Sequence, residues 1–102
     1  MALVNISSAR QQALRILESV TPPGGVELLS YKRNRSVAII RHQGDRFIIR
    51  EQGYVVRELE VGRDRLSRLL KTLIKREFPR SRKVRFFRFT HPDQLARKRQ
   101  KI

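Results

Sequence analysis

Apolar residues recur along this chain with two different periods. Ala9, Ala13, Leu14, Leu17 and Val20 follow helical spacing, as do Leu66, Leu69, Leu70, Leu73, Ile74 and Phe78. The first set predicts a helix over 8–20, opened by the capping box Ser8-x-x-Gln11 and closed by "TPPGG". The second predicts a helix over 64–78, with Asp64 as its N-cap and Pro79 forcing its end. Between them lie short β-prone segments: "VELLSYK" (26–32), "SVAIIRH" (36–42), "RFIIRE" (46–51) and "YVVRE" (54–58). Gly44-Asp45 is a two-residue hairpin signal. The run Phe47–Glu51 is echoed as Tyr54–Glu58 across Gln52-Gly53, which predicts a second tight hairpin with Gly53 at positive φ. One long strand with a glycine bulge is the competing reading.

The stretch "KVRFFRF" (83–89) predicts the last strand. Strand alternation places Val84, Phe86 and Arg88 on one face and Arg85, Phe87 and Phe89 on the other. Neither face is purely apolar. Either one phenylalanine face packs under the helices while the remaining aromatic caps the sheet, or Phe86 or Phe87 is an exposed stacking platform beside arginine, an arrangement suited to unpaired bases. RNA-recognition sheet motifs carry glycine between their aromatics, and this stretch has none.

The expected architecture is α+β: a small antiparallel sheet, a four-strand meander plus a fifth strand, with two helices packed on one face in the order α-β-β-β-β-α-β. The other face would stay partly open to water, and the functional surface would sit there. Residues 1–90 form the expected single domain. Residues 91–102 read as a basic C-terminal tail, a frayed helix or disordered segment.

Charge sharpens this picture. The 102 residues carry 24 Lys/Arg against nine Asp/Glu, a net charge of +15. Residues 1–60 hold nine cations and six acids, a balance of +3, whereas 61–102 hold fifteen and three, a balance of +12. Such an excess favours polyanionic partners. Eighteen of the cations are arginine, whose planar fork suits phosphate, although a GC-rich genome also raises arginine. It does not explain the missing acids. A solubilising helix face normally mixes signs, yet Arg65, Arg68, Lys71, Lys75 and Arg76 have only Glu77 beyond the Asp64 cap to balance them.

Several classes recede. The absence of cysteine excludes disulfides, thiolate metal sites and cysteine nucleophiles. His42 and His91 lie far apart in sequence, the glycines match no phosphate-binding loop, and no clustered carboxylate or histidine motif suggests a metal. Glu58 and Glu60 read as solvated strand charges. No enzymatic activity and no cofactor are expected. The N-terminus turns polar after six residues, too early for a secretory signal, and "VAII" and "FII" are too short to span a bilayer. A basic amphipathic membrane helix is set aside because the same apolar stripe is needed for the core. A cytoplasmic location is the default.

The expectation is a non-enzymatic nucleic-acid-binding protein, RNA favoured over DNA. Arg65, Arg68, Lys71, Lys75 and Arg76 would follow the phosphate backbone. Arg80, Arg82, Lys83, Arg85 and Arg88 would line the adjacent loop and strand, with Lys32, Arg33 and Arg35 at a hairpin tip and Phe86 or Phe87 as stacker. Arg97, Lys98, Arg99 and Lys101 extend the charge into the tail. The rival expectation is a small adaptor or complex subunit docking on an acidic protein, with Tyr54-Val55-Val56 at a sheet edge.

Overall fold

Leu70 and Leu73 are wholly buried, and the helical period that places them on one side of their segment is the period by which the chain closes its core. Residues 2–95 are described by a computed structural model. In chain order they form β1 (Ala2–Asn5), α1 (Ile6–Ser19), β2 (Gly25–Leu29), β3 (Ser36–Arg41), β4 (Arg46–Gln52), β5 (Val56–Gly62), α2 (Arg63–Glu77) and β6 (Lys83–Phe89). A further helical turn begins at Asp93–Leu95. The tail cations Arg97, Lys98, Arg99 and Lys101 lie outside the described residues.

The α+β class with an antiparallel sheet is as expected, but the sheet has six strands, in the spatial order β1-β6-β2-β3-β4-β5. The additional strand is β1, which pairs with β6 through Leu3↔Arg85 and Val4↔Val84. Both long helices pack on one face. α1 approaches closely because Ala9 and Ala13 are small, and Leu17 completes its buried stripe. α2 contributes Leu66, Leu70, Leu73 and Ile74. Beneath them the sheet presents Val26, Leu28, Val37, Ile39, Phe47, Ile49, Val84 and Phe86. A fully buried leucine or isoleucine contributes roughly 1.5–3 kcal/mol, so this cluster is the main source of stability.

Three local expectations are corrected. The capping box does not form: α1 starts two residues earlier, Asn5 is its N-cap, and the Ser8 hydroxyl donates back to the Asn5 carbonyl (3.2 Å) while Gln12 donates to Ser8 (3.0 Å). Chain entry is instead fixed by the Ile6 amide, which donates to the Arg82 carbonyl (2.8 Å). α2 likewise begins at Arg63, with Gly62 rather than Asp64 at the cap. Among the described residues the positive φ values fall at Gly44 and Arg33, both +64°, and not at Gly53.

The second sheet face is not open at its centre. Ala38, Ile40 and Phe89 are buried there, and Leu95 packs over them at 4% exposure. Glu27, on the same face, is fully buried. The segment that follows β6 therefore covers part of the surface expected to carry function.

At its C-terminus α1 has no basic residue in its last turn. Arg41, at the end of β3, supplies one from the sheet: its Nη1 donates to the carbonyls of Leu17 (3.1 Å), Glu18 (3.3 Å) and Val20 (3.0 Å). A cation at that position satisfies orphan carbonyls and opposes the negative end of the helix dipole.

Candidate nucleic-acid interface

Strand direction brings distant parts of the sequence to one end of the molecule. β2 and β4 run toward this end, as does α2, while β3, β5 and β6 run away from it. The β2–β3 loop (30–35), the β4–β5 loop (53–55), the end of α2 and the 78–82 connector therefore meet there. Hydrogen bonds tie them together. Arg35 Nε donates to the Glu77 carbonyl (2.7 Å), the Tyr54 and Val55 amides donate to the Glu77 carboxylate (2.8 and 3.2 Å), and Arg85 Nε donates to the Tyr31 carbonyl (3.0 Å).

This pole gathers Lys32, Arg33, Arg35, Lys75, Arg76, Arg80, Arg82, Lys83 and Arg85. Lys32, Arg33, Lys75, Arg80, Arg82 and Lys83 are exposed and make no ion pair with any described residue. The acids that reach the pole are Glu51 and Glu77, both fully buried. Exposed acids lie elsewhere: Glu18 and Asp45 pair with Arg63, Glu58 with Arg50 and Glu60 with Arg46, Asp64 begins α2, and Asp93 contacts His91. The charge that sequence shows as an excess is, in space, a segregated basic surface.

Glu51 and Glu77 hold the pole together and titrate in opposite directions. Burial raises the Glu51 carboxyl, but Arg76, the Glu77 hydrogen bond and Arg57 together outweigh it and leave Glu51 below its ordinary value. Arg76 grips it through two parallel bonds, Nε–Oε2 and Nη2–Oε1, both 2.8 Å, and Arg57 Nε adds a third at 3.1 Å. Glu77 lies above its ordinary value, first through burial and then through its hydrogen bond and charge interaction with Glu51, despite the Tyr54 and Val55 amides.

The β2–β3 loop is built rather than loose. Buried Ser30 receives the Arg33 amide on its carbonyl (2.9 Å) and the Arg35 amide on its hydroxyl (3.2 Å), and donates that hydroxyl to Asn34 Oδ1 (2.8 Å). At its tip Arg33 occupies the left-handed region, a conformation uncommon for a residue with a long side chain. The loop thus holds a cation outward at a backbone position that Gly or Asn would occupy more readily.

Two aromatic rings that the sequence pattern does not single out as stackers stand on this pole. Tyr31 is 66% and Tyr54 67% exposed. The Arg85 guanidinium lies 4.6 Å from the Tyr31 ring centroid, and that of Arg35 4.9 Å from Tyr54. Sequence offers one signal for them, a tyrosine directly beside a turn in both "SYKRNR" and "QGY".

The other expected site residues do not all converge. Arg65, Arg68 and Lys71 lie exposed along α2, away from its pole end. Arg76 is at the pole but is spent on Glu51. Arg88 is at the opposite end, donating to the Ser19 hydroxyl (3.0 Å). Phe86 is in the helix-side core at 6% exposure, which leaves no ring face for a base. Phe87 packs half-buried on the second face, stacked on Phe89 with centroids 6.4 Å apart.

Comparison with family models, curated proteins and solved structures finds no match for the chain. Among the described residues, no helix is long and apolar enough to cross a membrane and no group of three potential ligands could hold a metal ion.

Proposed function

We propose that this protein binds nucleic acid through the basic pole, RNA ahead of DNA, and favours strands with unpaired bases. One observation carries the reading: six exposed cations that make no ion pair with a described residue share one end of the fold with two exposed Arg–Tyr stacks, while the described acids at that end, Glu51 and Glu77, are buried. Lys75, Arg80, Arg82 and Lys83, with Lys32 and Arg33, contact phosphates. Counterion release is the driving term. Tyr31 and Tyr54 offer π-faces to bases, a mode that tolerates any sequence and requires bases out of a duplex. The loops bearing them are separated by about two strand spacings, roughly 10 Å, a span that successive nucleotides can bridge. Lys71, Arg68 and Arg65 prolong the positive field along α2.

The test is fluorescence anisotropy of labelled single- and double-stranded RNA and DNA across a salt series. Six neutralised phosphates on a single strand give a log–log slope of about −4. No binding at low salt, where electrostatic attraction is strongest, would remove the reading.

A further inference from the structure

β5 ends the sheet, with no described strand on its outer side. Edges like this present unpaired backbone donors and acceptors, and proteins usually blunt or cover them. Here the edge opens on a groove of about 590 Å³ between β5 and α2. Its floor is half-buried Leu59, Val61 and Leu69, with Thr72 beside them, and Arg65 and Arg68 stand on its rim. Asp64 closes one end of the lining. Neither arginine makes an ion pair with a described residue. On the opposite face of β5 the charges are already balanced, Glu58 by Arg50 at 2.9 Å and Glu60 by Arg46 at 3.2 Å.

From this arrangement we propose that β5 and the groove beside it accept an extended segment of a partner protein as a seventh strand, a segment whose groove-facing positions alternate aliphatic and acidic side chains. The backbone edge supplies hydrogen bonds, the aliphatic side chains meet Leu59, Val61 and Leu69, and the carboxylates reach Arg65 and Arg68. The opposite alternate positions face Glu58 and Glu60, so neutral side chains belong there. Charge decides against a second copy of this chain. Antiparallel pairing of two β5 strands centred on Leu59 sets the Glu58–Arg50 pair of one copy beside the Glu60–Arg46 pair of the other, which adds no attraction. It also turns the Arg65–Arg68 faces of two α2 helices toward each other, and like charges so placed repel. The apolar floor and open backbone edge likewise suit a strand better than a phosphate chain. This surface lies away from the basic pole, sharing only Arg65 and Arg68 with the field that extends from it along α2, and does not rest on the nucleic-acid reading.

The experiment uses the peptide Thr-Glu-Thr-Val-Thr-Glu-Thr-Val-Thr, acetylated and amidated, titrated into the full-length protein by heteronuclear NMR. Amide shifts are expected along 56–62 and not at 30–35 or 80–83. Two further peptides are N-methylated on one or the other alternate set of residues; an added strand tolerates methylation on the set facing away and loses binding with the other. A lysine-for-glutamate peptide should fail. The exposed pair Arg65→Gln and Arg68→Gln should weaken the parent peptide roughly tenfold. Equal binding of both methylated peptides, shifts confined to the pole, or no binding at millimolar peptide would each overturn the proposal. So would an RNA oligonucleotide occupying 56–62, or a dimer in sedimentation that buries β5. Failure of the parent protein to bind RNA at low salt, with the peptide shifts intact, would overturn the function proposed above and leave this one standing.

Discussion

Arg76 holds the buried carboxylate of Glu51 with two parallel hydrogen bonds of 2.8 Å, and so a residue that reads as part of a nucleic-acid surface is a structural latch. Removing the guanidinium leaves the buried carboxylate with Arg57 as its ion-pair partner among the described residues, and taking one partner from a buried charge cluster is strongly destabilising. Arg76→Ala is expected to lower Tm by on the order of 10 °C. Lys75→Ala, one position away and exposed, should leave Tm within a degree or two. Thermal unfolding followed by circular dichroism checks both; equal shifts would mean that the pair contributes nothing.

The two buried carboxyls give a pH signature with opposite signs. Glu51 has a folded value below the ordinary 4.5, so its contribution to stability is present above 4.5 and is lost as pH falls through the folded value. Glu77 has a folded value above 4.5, so its contribution is present below 4.5 and is lost as pH rises through the folded value. Glu51→Gln should therefore fall further behind the parent protein as pH rises from acid. Glu77→Gln should gain on the parent over the pH interval above 4.5. Urea unfolding of the three proteins between pH 3 and pH 8 measures the two differences; slopes of the same sign would refute the assignment.

Gly53 is required by the same cluster, for a reason other than backbone freedom. A Cβ there would overlap the Glu77 carboxylate and come within 3.1 Å of the Arg35 Cβ. Gly53→Ala should cost about 1–3 kcal/mol, as overpacking typically does. In a Glu77→Ala background the clash partner is gone, and the cost should fall by more than about 0.5 kcal/mol, the coupling expected of residues that touch. A double-mutant cycle by chemical denaturation reads this directly, and additivity would show that the glycine serves something else.

These residues also show what the sequence can and cannot reveal. The stripes of α1 and α2 and the strand "KVRFFRF" are legible because helical and alternating periods are local properties. β1 is not: "ALVN" has one buried side chain, Val4, and becomes a strand only by pairing with β6 some eighty residues away. Gly53 misleads because glycine in a turn usually signals positive φ, whereas here it clears space for a carboxylate from α2. The distribution of charge between the two halves is visible, but its concentration at one pole depends on strand direction. Phe86 and Phe87 stand out through composition, yet burial decides which ring a base could reach, and burial follows from register. Tyr31 and Tyr54 gain their place only because two loops fold to the same end.

The proposed interface separates into two measurable parts, stacking and charge. Tyr31→Ala and Tyr54→Ala should each weaken single-stranded RNA binding by about 1–3 kcal/mol, with the salt slope almost unchanged, because a stacked base releases no counterion. Tyr54→Phe keeps the ring and should keep the affinity. The combined Lys75→Ala, Arg80→Ala, Arg82→Ala and Lys83→Ala variant should behave in the opposite way, flattening the slope by about 0.7 for each phosphate it no longer neutralises. Phe87→Ala, on the covered face, should leave RNA affinity and slope as they are. Salt-series anisotropy on the set distinguishes the mechanisms: tyrosine variants that flatten the slope, or a Phe87 variant that loses affinity, would move the interface away from the pole and back toward the sheet face.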